Sequence, residues 1–221
     1  MDGIIHTTGK ASLAVQIITT AIDTYVLSLD TDPKKKDYKI LLTIENIVNY
    51  VEGFFYIWMV CSFTSIKNIT KYRYYDWIIT TPTMLFTYSM FVLINQKMAN
   101  NEPHDLFTIV LEEKFTLASI MIFNWLMLWF GYMSETGKIG TVLAVCLGFV
   151  PFVAMFYIIY EKYAKHTSVG QTTFYYFVAV WALYGFAALT SYKVKNVLYN
   201  ILDLFAKNFF GLFLAYMVVF S

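Results

Sequence analysis

Two ionisable residues, Asp203 and Lys207, sit deep inside a largely apolar run from Val194 to Phe220. At this spacing they share one face of a helix, one turn apart. A charge at membrane depth costs about 2.5–3.5 kcal/mol even on a lenient scale, so such residues need a purpose. Two fates are open to the lysine. It can pair with a carboxylate across helices, or its amine can be consumed in a covalent bond. An apolar pocket suits the second, because desolvation favours the neutral, nucleophilic amine of a Schiff-base former.

Two further segments carry polar groups at helical spacing. Arg73-Tyr-Tyr-Asp-Trp-Ile-Ile-Thr-Thr-Pro-Thr-Met-Leu85 puts Arg73, Asp76 and Thr80 on one face, with Asp76 available to Lys207. Two carboxylates with one lysine and one arginine make a near-neutral cluster, the form in which buried charges persist. Thr43-Ile-Glu-Asn-Ile-Val-Asn-Tyr-Val-Glu52 aligns Glu45, Asn49 and Glu52 as a polar stripe. Acids inside a membrane face a cavity or a water path, and an acidic lining selects cations. Interhelical hydrogen bonding by protonated acids is the plainer alternative for the stripe.

These groups have to be positioned by membrane helices. Of 221 residues, 58% are hydrophobic and only 14% charged, with mean hydropathy +0.56, far from the roughly 25% charge of a soluble domain. A span needs about twenty apolar residues, and seven runs fit: 11–29, 40–63, 72–94, 106–133, 139–163, 172–192 and 194–220. The expected fold is an all-α membrane protein, a single seven-transmembrane-helix bundle over residues 1–221, with short links making sequential helices antiparallel neighbours. The polar stretch Met1–Lys10 does not have the form of a signal peptide. Net charge of +1 gives no reason to expect nucleic acid. Cys61 and Cys146 suggest no disulfide framework, and His6, His104 and His166 no metal site. Lys34, Lys35, Lys36 and Lys39 form the strongest basic cluster, which points to an extracellular N-terminus and a cytoplasmic C-terminus.

The third segment and an Asp-x-x-x-Lys pair in a seventh helix resemble the microbial (type 1) rhodopsins over the whole chain. The resemblance implies a photoreceptor, not an enzyme. All-trans retinal would be joined to Lys207 as a protonated Schiff base, with Asp76 and Asp203 as counterions and Arg73 and Thr80 beside them. It also implies a pocket of Trp77, Thr81 and Met84 on helix three, Met121 and Trp125 on helix four, Gly148 and Phe152 on helix five, and Trp181 and Tyr184 on helix six. Met84 stands where apolar residues accompany green absorption.

A pump of this family reprotonates the Schiff base from a carboxylate eleven residues after the counterion, where this chain has Thr87. Pumps also often carry glutamates near the outer mouth, where this chain has Lys195. The helix-two acids resemble channelrhodopsins. Together with Ser12 and the Lys195-Asn196 pair they resemble group 1 viral rhodopsins of algal giant viruses. The implied function is a light-gated cation channel, with an outward proton pump and a sensory rhodopsin as alternatives. Its ion pathway would comprise Glu45, Asn49, Glu52, Ser12, Lys195 and Asn196, with Glu52 tuning the path rather than the Schiff base. The implied partners are the lipid bilayer and sodium, potassium or protons, with a homo-oligomer left open.

Overall fold

The computed structural model describes residues 3–220, without the side chain of Lys34, so that member of the basic cluster lies outside the described residues. Seven helices form one bundle: α1 Gly3–Ser28, α2 Lys36–Cys61, α3 Ile69–Ala99, α4 Leu106–Glu135, α5 Thr141–Lys162, α6 Ser168–Ala188 and α7 Tyr192–Phe220. No strand occurs among the described residues. Five of them (α1, α2, α3, α5 and α7) are long and apolar enough to cross a membrane by length and composition. Helix α4 packs between α3 and α5, and α6 between α5 and α7.

Sequence neighbours pack on one another, and α1 closes the ring by packing against α2 and α7. This is what short antiparallel connections dictate. Large apolar side chains such as Ile17, Phe54, Phe115, Val150 and Phe220 are left on the outside, where hydrocarbon replaces water as solvent.

Of the helix boundaries that differ from the expected spans, two bear on the site. Helix α1 begins at Gly3 rather than near Ala11, because the polar N-terminal stretch still packs: Ile5 is buried and the His6 ring stacks on Phe63 at 4.7 Å. Helix α6 stops at Ala188, and Tyr192 already opens α7. Lys195 and Asn196, inside the expected seventh run, lie in the first turns of α7. The α4 start is fixed by Asp105, whose carboxylate accepts from Thr108 N at 3.0 Å and Thr108 Oγ1 at 2.9 Å, which holds it below the usual carboxylate range.

Both intrahelical prolines, Pro82 and Pro151, are accommodated. Pro82 has no N–H to offer the carbonyl of Ile78 one turn back. The indole Nε1 of Trp125 on α4 donates to that carbonyl at 3.0 Å, so an unpaired acceptor in the membrane is avoided. Replacing Trp125 with Phe should cost about 0.5–1.5 kcal/mol of stability, the usual net worth of such a bond. The cost should shrink in a Pro82→Ala background, where a backbone N–H takes over. Thermal unfolding of the two single variants and the double variant in detergent checks both statements.

Candidate functional site

Lys207 lies in a π-helical turn, Leu204–Asn208, that interrupts α7 midway. Such turns occur frequently at functional sites. The side chain is buried, and its Nζ sits 2.8 Å from Asp76 Oδ2 on α3 and 3.2 Å from Glu52 Oε1 on α2. Asp203 takes a different partner from the expected one. The π turn intervenes between it and Lys207, and its carboxylate accepts from Arg73 Nη1 at 3.1 Å, Tyr56 OH at 2.7 Å and Tyr184 OH at 2.7 Å.

The site is thus a chain of groups rather than a single pair. Arg73 is completely buried and donates also to Asn200 Oδ1 and, at 3.4 Å, to Asn196 Oδ1. Asn196 in turn donates to Thr70 Oγ1 at 2.8 Å. Thr80 turns its hydroxyl back to the carbonyl of Asp76 at 3.0 Å. Two cations and two anions balance with Glu52 as a neutral acid. A third carboxylate charge would leave one negative charge unpaired at several kcal/mol.

The positions expected along an ion pathway divide. Ser12 donates to the Asn200 carbonyl at 2.8 Å. Asn49 donates to Asp23 Oδ2 at 3.0 Å, and Glu45 accepts from Thr87 Oγ1. Asn196 joins the Arg73 cluster. These groups follow a seam between α1, α2, α3 and α7. Lys195 is elsewhere: its Nζ pairs with Glu135 on α4 at 2.5 Å, because the start of α7 turns it toward α4 and away from α1 and α2. Glu52 was expected to act on the path alone, and it reaches Lys207 as well. Tyr56, Asn200 and Asn208 also belong to the seam. Tyr56 continues the helix-two stripe one turn beyond Glu52, and Asn200 precedes Asp203 by three residues, so the same periodicity carries both.

Beside Lys207 a largely apolar cavity, partly open to the outside, lies between α3, α4, α5, α6 and α7. Its walls include the expected Trp77, Thr81, Met84, Gly148, Phe152, Trp181 and Tyr184. On α4 the expected Met121 and Trp125 are replaced by Met127, Leu128 and Gly131. Trp125 is 45% exposed, drawn outward by the carbonyl that Pro82 frees. Asn124 holds Thr81 at the wall with a 2.8 Å hydrogen bond. A buried amine at one end of an aromatic slot, flanked by a carboxylate acceptor, can hold an aldehyde as a covalent, charged adduct.

A family model for bacteriorhodopsin-like proteins matches residues 7–220. The green-light absorbing proteorhodopsin of Gamma-proteobacterium EBAC31A08 is 24% identical over 216 residues, covering 89% of this chain and 81% of that protein. The crystal structure of viral rhodopsin OLPVRII superposes with a TM-score of 0.83 at 26% identity, covering 96% of each chain. Halorhodopsin, a light-driven chloride pump, shares the fold at a TM-score of 0.70 and 14% identity, covering 99% of this chain and 96% of that one.

Removing the Arg73 charge alone leaves Asp203 buried and uncompensated. Arg73→Gln should therefore destabilise the protein by about 3–5 kcal/mol, and adding Asp203→Asn should recover most of the loss. Denaturation of the chromophore-free protein in detergent measures both.

Proposed function

The chain belongs to the bacteriorhodopsin-like family, as a microbial rhodopsin resembling the viral rhodopsins, and we propose that it binds retinal at Lys207 and conducts cations in the light. The cavity fits that chromophore: it is long and aromatic-walled, it begins at a buried amine, and Trp181 Nε1 inside it has no hydrogen-bond partner. Trp77, Thr81, Met84, Gly148, Phe152, Trp181 and Tyr184 would hold the polyene. Retinal, linked through Lys207, supplies visible absorption and a light-driven reorientation of the N–H at Nζ. The free ammonium of Lys207 stands where that N–H would be.

The residues of this chain do the rest. Asp76 Oδ2, at 2.8 Å, would stabilise a positive charge at Nζ and is placed to accept a proton from it. Arg73, Tyr56 and Tyr184 fix the Asp203 carboxylate in place, so that it shapes the field at Lys207 from a set position. Met84 on the cavity wall supports green absorption.

The observation that carries the channel reading is a concentration of unpaired buried polar atoms along the seam. Gln16, Asp23, Glu45, Asn46, Asn49, Glu52 and Asn208 each hold at least one side-chain atom with no hydrogen-bond partner. Polar groups in hydrocarbon are not left so unless water or ions reach them. Carboxyl groups on that route favour cations. With the basic cluster at the α1–α2 connection on the cytoplasmic side, the N-terminus lies outside.

One observation favours the proton pump as a second reading. Thr87, at the donor position, is hydrogen-bonded to Glu45. A carboxyl group therefore does stand at that place, contributed by α2 instead of α3.

Two measurements test these readings. Lys207→Ala should give no visible band after addition of all-trans retinal, and a retained green band would move the linkage to another residue. Under voltage clamp the photocurrent should reverse sign near the equilibrium potential of the permeant cation and follow the sodium or potassium gradient. Glu52→Gln should lower that current, more than the same change at Glu45, with little shift of the band, because a neutral amide replaces a neutral acid. Outward current of constant sign, with acidification of the medium, would establish the pump.

A further inference from the structure

Asp23 on α1 is a carboxyl group of the seam with no part in holding Lys207 or Arg73. It is completely buried in the membrane-spanning part of the bundle, where an ionisable residue has a functional role by default. The threonines around it on α1 do not take up its carboxylate. Its Oδ2 accepts a single hydrogen bond, from Asn49 Nδ2 on α2 at 3.0 Å, and its Oδ1 has no partner.

The third side of this contact is Gly211 on α7. A Cβ placed on Gly211 would lie 2.7 Å from Asp23 Oδ2 and 3.2 Å from Asn49 Nδ2. The backbone of α7 therefore rests directly on the Asp23–Asn49 pair, where three helices meet. Only glycine permits this approach.

The contact is coupled to the chromophore lysine through α7. Gly211 follows Lys207 by one turn on the same face. Asn208, next to Lys207, donates to Thr19 Oγ1 at 2.8 Å, and Thr19 precedes Asp23 by one turn on α1. A displacement of α7 at Lys207 thus acts on α1 at two successive levels.

The unpaired atoms in this part of the seam are predominantly acceptors. They are Gln16 Oε1, Asp23 Oδ1, Asn49 Oδ1 and Asn208 Oδ1, against the single donor Gln16 Nε2. An acceptor left unpaired inside hydrocarbon is costly, and what relieves it is a cation or the hydrogens of its waters.

We propose that Asp23, Asn49 and the Gly211 backbone form the constriction that shuts the seam in the dark, and that Asp23 binds the permeant cation when α7 withdraws. The proposal rests on the channel reading for its ion and on the packing of α1, α2 and α7 for its location. Asp23 is then a selectivity-determining residue, distinct from the groups that hold the chromophore.

The experiment compares wild type, Asp23→Asn and Asp23→Glu by voltage clamp and by light-minus-dark infrared difference spectroscopy on membranes. Asp23→Asn keeps the shape of the side chain and removes its charge. It should leave the visible band in place, which reports correct folding. The cation photocurrent should fall several-fold, and its reversal potential should no longer follow the sodium gradient as in wild type. Asp23→Glu should restore part of the current. The wild-type infrared spectrum should contain a light-induced carboxyl band that Asp23→Asn abolishes. A wild-type current that reverses, together with an Asp23→Asn current of the same size and reversal potential, would overturn the proposal while leaving the channel reading intact. If the wild type gives no reversing current, the channel reading fails. With no cation current to shut off, the constriction is overturned with it.

Discussion

A positive charge on Lys207, in the middle of a bundle whose outer face meets hydrocarbon, must be neutralised within reach of its own side chain. Asp76 does this at 2.8 Å, and much of the surrounding arrangement follows. Because Asp76 is committed to Lys207, Arg73 three residues earlier needs another anion, and Asp203 supplies it. The hydroxyls of Tyr56 and Tyr184 fill the remaining acceptor positions of Asp203. Asn196 and Asn200 use up donors of Arg73. The result is a balanced set of charges with little freedom to rearrange, and a disturbance at Nζ must be answered by its neighbours.

This balance also shows why the polar groups divide between two sides of Lys207. Towards α3, α4, α5 and α6 the lining is mainly aromatic and apolar, suited to a rigid polyene. Towards α1 and α2 it is amide, carboxyl and hydroxyl, with many atoms unpaired. The first side encloses a cavity, and the second leaves polar side-chain atoms without hydrogen-bond partners. Lys207 stands at the boundary, and its π turn lets α7 serve both sides.

Much of this was legible in the sequence, because membrane helices show spans, spacing and buried charge plainly. Seven apolar runs gave seven helices, and the Arg73–Asp76–Thr80 spacing brought those residues to one face. The failures have local causes. Ideal helical periodicity put Asp203 and Lys207 side by side, whereas the π turn between them hands Asp203 to Arg73. Trp125 was assigned to the cavity, but the carbonyl freed by Pro82, one helix away, draws it outward. Lys195 was assigned to the ion path, yet its partner, Glu135, lies at the far end of α4, a pairing that no local spacing encodes. Glu52 was read as a path residue, since a stripe along α2 does not reveal how close α7 comes to it.

The central claim is that Asp76, and not Asp203, is the primary partner of the charge at Lys207. The visible spectra of retinal-reconstituted Asp76→Asn and Asp203→Asn, recorded side by side at neutral pH, test it most directly. Loss of the nearer anion destabilises the ground state more than the charge-shifted excited state. Asp76→Asn should therefore move the band to the red, or lose it by deprotonation, and by more than Asp203→Asn does. An unshifted Asp76→Asn spectrum beside a strongly shifted Asp203→Asn spectrum would contradict the account.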